Sequence, residues 1–222
     1  MDALLARFNY RASWLQDELG LTRASLLGNA QQGCGGMFSA LRTAHALLVA
    51  EPRVRHVLCV GVDVLPADGP REILYNIISD AGAAVVVSRG ATRDRWVGYH
   101  QLSKGYYWDV AAKQKEIIAS YFPTSRLVIQ QLLAQLSLAP TDIDWLVPTG
   151  IGADSWLILA QLIGLAPEKI YGGHRKFGHT VAADNFLHLA EIRADPSITA
   201  GRHLLLFTYG FGSSWCGLVL EH

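Results

Sequence analysis

The pattern that most constrains this fold is a repeated alternation of helix-like and strand-like segments. A helical run at residues 35–50 leads into two strand-like runs, "HVLCVGVDVL" (56–65) and "DAGAAVVVSRG" (80–90). Further along, a second series of helices and strands closes with "RHLLLFTYG" (202–210) and "SSWCGLVLEH" (213–222). Each round ends as strand, glycine-containing link and strand, which indicates two structurally duplicated α/β units.

Hydrophobic periodicity assigns the remaining segments. The run 56–65 is rich in β-branched and apolar residues, which predicts a strand buried on both faces. No crossover helix connects it to 80–90, so these two strands are predicted to pair antiparallel. Residues 91–108 are rich in aromatic residues and turn formers, which favours a linker or surface crossing. The other predicted helices cover 2–19 (closed by Gly20), 110–138 (broken near Pro123), 153–165 and 181–194, and the other predicted strands cover 24–33, 142–150 and, with a loop, 169–180.

Composition narrows the class of protein. Half of the 222 residues are hydrophobic and 17% are charged, which is enough to build a sizeable core. Lys+Arg and Asp+Glu each number 19, and no basic run occurs, so nucleic acid and membrane are disfavoured as partners. The three cysteines, Cys34, Cys59 and Cys216, lie far apart without a CxxC motif, which fits a reducing compartment. We expect a soluble, cytoplasmic α/β protein.

The turn "QQGCGGMFSALRTA" is the strongest chemical signal. Cys34 stands among glycines at the point where a helix begins. The positive end of a helix dipole and its unpaired N–H groups favour a thiolate, while glycines let a ligand approach the backbone. A small buried cysteine at a tight turn would give the same pattern, so both interpretations stay open on this stretch alone.

Three more glycine-marked turns follow predicted strands, namely "VPTGIG" (147–152), "FGHT" (177–180) and "YGFGSSW" (209–215). Ligands in open α/β sheets gather at the carboxyl ends of strands, so these turns are expected to converge on Cys34. Convergence would place His179 beside Cys34 as its base, and the last turn would supply N–H groups to an oxyanion.

Two neighbours of His179 carry alternative interpretations. Asp184 lies five residues after it and either orients the imidazole or complements the dipole in the first turn of the next helix. His174 lies five residues before it, but no carboxylate or cysteine at ligand spacing accompanies the pair, so no metal is predicted.

The chain resembles the β-ketoacyl-acyl-carrier-protein synthase III family of the thiolase superfamily. The resemblance runs in order from residue 24 to residue 222. The matching segments are "QQGCGGMFSALRTA", "HVLCVGVDVL" with "SDAGAAVVVS", "IDWLVPTGIGADSWLILAQLIGL", "FGHTVAADNF" and "HLLLFTYGFGSSWCGLVLE". The resemblance implies a thiolase-like α/β fold of two pseudo-duplicated halves, 1–104 and 105–222, with helices between sheets. Because the family carries further chain before this point, the first half is expected to be incomplete, with the missing layer absent or supplied by another polypeptide.

Site roles follow from the resemblance. Cys34 falls on the acyl-accepting nucleophile, and Phe211 falls on the position whose N–H completes the oxyanion hole with that of Cys34. Asp80, Gly82 and Ala83 fall on a motif at the floor of the site and the subunit contact. Two positions depart from the family: Thr149 replaces the first catalytic histidine, and His179 replaces an asparagine.

These departures change the predicted chemistry. Losing one of two donors to an enolate oxygen costs about 10²–10³ in rate, and Thr149 has only one hydroxyl to offer. Acyl transfer to a heteroatom needs only thiolate, oxyanion hole and base, so it is at least as favoured as condensation with a malonyl thioester. We therefore expect a thioester-dependent acyltransferase using acyl-CoA or an acyl carrier protein, with no cofactor. It is expected to be a homodimer paired through 24–33, or a heterodimer with a related synthase; the alternative is a non-catalytic partner subunit.

Overall fold

The computed structural model describes residues 10–73, 76–172, 176–211 and 213–222. They belong to two compact units, Met1–Ala30 and Gln31–His222. The first unit contains helix α1 (Arg11–Glu18). Gly20, at φ +61°, ends this helix: its N–H donates to Asp17 and that of Leu21 donates to Gln16, which is a Schellman motif. The predicted stop at Gly20 is confirmed, while residues 2–9 of the predicted helix lie outside the described residues.

The second unit contains four helices and eight strands among its described residues. The helices are α2 (Gly36–Ala50), α3 (Gln114–Gln135), α4 (Ala153–Ile163) and α5 (Asp184–Ala194). The strands are β1 (His56–Asp63), β2 (Glu72–Ile73), β3 (Asn76–Ile77), β4 (Ala81–Ser88), β5 (Arg95–Ser103), β6 (Trp145–Val147), β7 (His203–Gly210) and β8 (Ser214–Glu221). Short 3₁₀ turns precede α2 and α5, at Gly33–Gly35 and Val181–Ala183.

Three sheets form. β1 pairs antiparallel with β4, as predicted, with Cys59 opposite Val85. β2 and β3 make a small hairpin. The largest sheet has the order β5-β8-β7-β6, in which only the β6–β7 pair is parallel.

Two hydrophobic clusters define the layers. One cluster joins α2 and α5 to the β1–β4 pair on one side and to the four-stranded sheet on the other, through residues such as Phe38, Leu189 and Leu206. The second cluster packs α3 and α4 against the opposite face of that sheet, around Phe207 and Trp215. Adjacent residues of β7 thus enter different clusters, as a strand buried on both faces requires. Helices lie between two sheets, as expected.

Two strand predictions are wrong at the N-terminal side. No strand forms over 24–33 among the described residues; Leu26 and Leu27 are exposed there, since no neighbouring strand accepts their backbone hydrogen bonds. Strand β1 is not buried on both faces, because Val60 and Val62 are 40% and 63% exposed on the face away from α2. The dimer contact predicted through 24–33 therefore has no strand to form it, and stays a prediction.

The segment 91–108 is not a linker. Its centre is β5, which pairs with β8 over its length and sends Trp96 and Tyr99 into one core cluster and Val97 and Leu102 into the other. The aromatic residues Trp96 and Tyr99 are strand formers that pack on one face of β5. The boundary predicted at 104/105 stays a prediction.

Two smaller predictions also fail. Helix α3 runs unbroken through Pro123. An interior proline costs about 3 kcal/mol, but each fully buried aliphatic side chain beyond it, such as Ile129 and Leu132, contributes about 1.5–3 kcal/mol. The predicted strand near residue 170 reduces to one bridge between Ile170 and Leu146, after a 3₁₀ turn at Pro167–Lys169.

Candidate active site

The nucleophile turn lies at the start of α2. Cys34 is 8% exposed within the 3₁₀ turn Gly33–Gly35. Gly33 has φ +49°, and a Cβ there would lie 2.8 Å from the backbone nitrogen of Phe211 and 2.6 Å from its carbonyl oxygen. Only glycine fits this position. The backbone of Phe211 thus lies against the turn, as the predicted oxyanion hole requires.

The end of β7 supports the same turn. Gly210, the last residue of β7, has its Cα directly against the carbonyl oxygen of Gln32, and a Cβ would also lie 2.8 Å from the Gly35 nitrogen. The Gly35 N–H donates to that same Gln32 carbonyl over 2.9 Å. Two backbone segments far apart in sequence therefore fix the position of Cys34 by direct contact.

His179 contacts Cys34. Its Nε2 lies 3.2 Å from the Cys34 Sγ. The backbone of His179 is held on both sides by β3 and the residues after it: its N–H donates to Ile77, and its carbonyl accepts from Ser79, each over 2.9 Å. The imidazole is thus anchored by the hairpin as well as by its own loop.

Asp184 orients the imidazole from the first turn of α5. Its Oδ2 accepts the Nδ1–H of His179 and the N–H of Gly150, each over 2.6 Å. Its Oδ1 accepts both the N–H and the hydroxyl of Thr180, also over 2.6 Å each. The two roles considered for Asp184 are therefore compatible, since one carboxylate contacts the imidazole and lies at the helix start.

This arrangement shifts two pKa values. Burial disfavours the charged carboxylate of Asp184, but the hydrogen bonds from His179, Thr180 and Gly150 hold its pKa below the usual value. Burial also opposes protonation of His179, yet its contacts with Asp184 and Cys34 raise the pKa of the imidazole toward about 10. The Nδ1–H bond to Asp184 leaves Nε2 facing the thiol, so His179 can take the Cys34 proton.

Thr149 lies beside this triad. It is 4% exposed, and its carbonyl accepts the indole N–H of Trp156 over 3.0 Å. The next residue, Gly150, packs so closely that a Cβ would lie 2.7 Å from the Cα of His179. Among the described residues, the Thr149 hydroxyl has no hydrogen-bond partner. This hydroxyl is therefore available to a ligand.

A cavity of about 310 Å³ joins these groups. Cys34, His179 and Thr149 line it together with a mostly apolar wall. The wall includes Ile73, Ile78, Ile117, Ile118, Phe122, Ile151 and Val181, with Tyr121, Tyr209, Asn76 and Ser155 adding polar atoms. Sequence reasoning missed the contributions of β2, β3 and α3, because their apolar residues follow ordinary core patterns and carry no chemical signature.

Other predicted residues lie elsewhere. Asp80 is not at the cavity: its carboxylate binds the Arg71 guanidinium and the N–H of Leu65. His174 lies outside the described residues.

Within the described part of the chain, no group of three His, Cys, Asp or Glu side chains could hold a metal ion. The described helices include none that is long and apolar enough to cross a membrane.

Two family models match this chain. The one described as 3-oxoacyl-[acyl-carrier-protein (ACP)] synthase III matches residues 29–105. Its C-terminal counterpart matches residues 133–222, and together the two cover more than half of the chain.

Individual proteins are similar over nearly the whole chain. The beta-ketoacyl-[acyl-carrier-protein] synthase III of Microcystis aeruginosa is 23% identical, over 95% of this chain and 71% of that protein. The crystal structure of the synthase III from Aquifex aeolicus superposes with a TM-score of 0.81 at 20% identity, over 97% of this chain and 73% of the other. ChlB3, described as an acyltransferase, superposes with a TM-score of 0.81 at 22% identity, over 96% and 72%. These likenesses confirm the thiolase-like α/β fold.

Proposed function

This chain belongs to the 3-oxoacyl-[acyl-carrier-protein] synthase III family, and from that premise we propose that it is a thioester-dependent acyltransferase. The observation that carries the proposal is the continuous contact from Cys34 Sγ through His179 to Asp184, at the wall of an apolar cavity. A buried thiol with an oriented imidazole is an activated nucleophile.

The first step is acylation of Cys34. His179 Nε2 takes the thiol proton, and the Cys34 sulfur attacks the thioester carbonyl of the donor. The oxyanion lies at the N–H groups of Cys34 and Phe211, whose backbones the Gly33 contact brings together. The carrier thiol then leaves with the proton from His179. Acyl-CoA or an acyl carrier protein supplies the donor thioester, and no cofactor takes part.

The second step passes the acyl group to an acceptor. His179, held by Asp184, removes a proton from an incoming hydroxyl, amine or thiol, which attacks the acyl-Cys34 carbonyl. Thr149 lines the cavity where the acceptor would lie and offers one hydroxyl. Condensation with a malonyl thioester is the variant reaction, but a single hydroxyl and a single imidazole favour heteroatom transfer.

The proposal is tested by intact-protein mass spectrometry after incubation with acetyl-, hexanoyl- and benzoyl-CoA. We expect a mass gain equal to the acyl group, abolished by Cys34→Ala. Cys59→Ala is the matched control, because burial raises the pKa of the Cys59 thiol to about 11 and keeps it unreactive. The absence of a gain with every donor, in folded protein, would refute the proposal.

One observation favours a second function, that of partner subunit in a dimer with a related synthase or with a second copy. The outer face of the β1–β4 pair exposes Leu58, Val60, Val62 and Val86, which are 40–63% exposed. A contiguous apolar sheet face of this kind is typical of a protein interface. Association measured by sedimentation, together with absence of acylation, would favour this function over catalysis.

A further inference from the structure

We propose that this site is also a hydrolase, in which a water molecule held between His179 Nε2 and the Thr149 hydroxyl discharges the acyl group from Cys34. The inference rests on the proposed function, because it requires an acyl-Cys34 intermediate. It goes beyond the proposed function by naming water as an acceptor and by assigning the Thr149 hydroxyl to binding that water.

The first support is the geometry of the base. Once Cys34 is acylated, its sulfur no longer shares a proton with His179, and Nε2 faces the acyl carbonyl with a free lone pair. The 2.6 Å bond from Nδ1–H to Asp184 keeps the ring in this tautomer and orientation. Nucleophile, histidine and carboxylate in this order are the arrangement by which hydrolases use one histidine for both half-reactions.

The second support is Thr149. Its side chain is more than nine-tenths buried, lines the cavity and has no hydrogen-bond partner among the described residues. The Thr149 hydroxyl is not among the fully buried unpaired side-chain atoms, and its residue lines the cavity, so a water molecule in the cavity can bind it.

The position of Thr149 is also fixed. The N–H of Gly150 donates to Asp184, the same carboxylate that orients His179, and Gly150 packs on the His179 backbone. The Thr149 hydroxyl and the imidazole therefore keep a constant relation, as two groups holding one water must.

The third support is access for water. Ile118 lines the cavity and is 44% exposed, so the cavity reaches the surface. Asn76 and Ser155 also line it, and among the described residues their side chains make no hydrogen bond. These polar groups let water enter an otherwise apolar wall.

The reaction balances with water alone. His179 Nε2 removes a proton from the water while the water oxygen attacks the acyl carbonyl carbon, forming a tetrahedral oxyanion. The carbonyl re-forms as the bond from carbon to the Cys34 sulfur breaks, and the sulfur recovers the proton from His179. The sum of both half-reactions is acyl-CoA plus water giving a carboxylic acid and free CoA.

The experiment uses the full chain with excess hexanoyl-CoA in ¹⁸O-labelled water and no other acceptor. We expect release of free CoA to continue beyond one equivalent per chain, with one ¹⁸O in each hexanoate and no release from Cys34→Ala. Stoichiometric CoA release with a persistent acyl-enzyme would overturn the inference while leaving the proposed function intact. The absence of acylation and of CoA release would refute both the inference and the proposed function.

Thr149→Val tests the position of the water. The valine keeps the volume but lacks the hydroxyl, so we expect deacylation to slow about 3- to 10-fold, the effect of one hydrogen bond, with acylation little changed. Thr141→Val makes the same chemical change at an exposed position and is expected to match the unmodified protein. If Thr149→Val deacylates at the same rate as the unmodified protein, Thr149 does not bind the attacking water.

Discussion

The two larger sheets of this chain differ in how they are covered. Strands β7 and β8 are buried on both faces, with α2 and α5 on one side and α3 and α4 on the other. The β1–β4 pair is covered by α2 and α5 on one face and exposes Leu58, Val60 and Val62 on the other. Both sheets carry similar runs of apolar residues, so composition does not separate them.

This difference determines where the site obtains its rigidity. The nucleophile turn rests on Gly210 at the end of β7, and Asp184 begins a helix that packs on the same sheet. The first half contacts the loop that carries His179 and Asp184 at two places: Ile77 and Ser79 bind the His179 backbone, and Asp63 at the end of β1 accepts the N–H of Ala182. The chemistry is therefore expected to depend strongly on the four-stranded sheet and weakly on the β1–β4 pair.

The largest expected effect compares one leucine from each sheet. Leu206 of β7 is fully buried, and Leu206→Ala is expected to destabilise the fold by about 2–5 kcal/mol through lost burial and a cavity. Leu58 of β1 is 41% exposed, and Leu58→Ala is expected to cost less than about 1 kcal/mol. Urea denaturation checks both. Equal losses would show that the exposed face is covered in solution.

A smaller effect separates two glycines. Gly210→Ala places a Cβ against the Gln32 carbonyl and the Gly35 nitrogen, so the nucleophile turn must shift. A displacement near 1 Å costs about 10²-fold in rate, and we expect that loss in Cys34 acylation. Gly82→Ala in β4 makes its tightest contact with a Val62 methyl at 3.2 Å, while the Gly61 carbonyl oxygen lies at an ordinary 3.5 Å, so this variant is expected to retain the rate. Similar losses in both variants would contradict the division between the sheets.

The pH dependence of stability tests the contacts of the triad itself. The folded pKa of His179 is raised, so its stabilising contribution is fully present below about pH 6.5 and is lost as pH rises through the folded pKa of about 10. The loss is at most about 1.4 kcal/mol per pH unit. Free energies of unfolding of the unmodified protein and of His179→Asn, measured from pH 6 to 10, are expected to converge. A constant difference would show that Asp184 and Cys34 do not favour the protonated imidazole.

Local patterns were sufficient for the elements that depend on local rules. The helix after Cys34, the helix end at Gly20 and the final strand pair all agree with the structure, because caps and periodicity act within a few residues. The prediction of a linker over residues 91–108 was wrong for the opposite reason. The strand in this segment exists only because β8, more than a hundred residues away, accepts its hydrogen bonds.

The sequence by itself determined the fold family, and it predicted two rounds of α/β units and the reaction at Cys34 and His179. It left the role of Asp184 open and said nothing of the cavity wall. Tertiary structure decided those points. Asp184 lies only five residues from His179, but the Gly150 N–H that binds the same carboxylate, the Gly210 backbone contacts and the isoleucine-lined cavity join segments distant along the chain. Residue types specify what a group can do chemically; only the packed backbone specifies which groups meet.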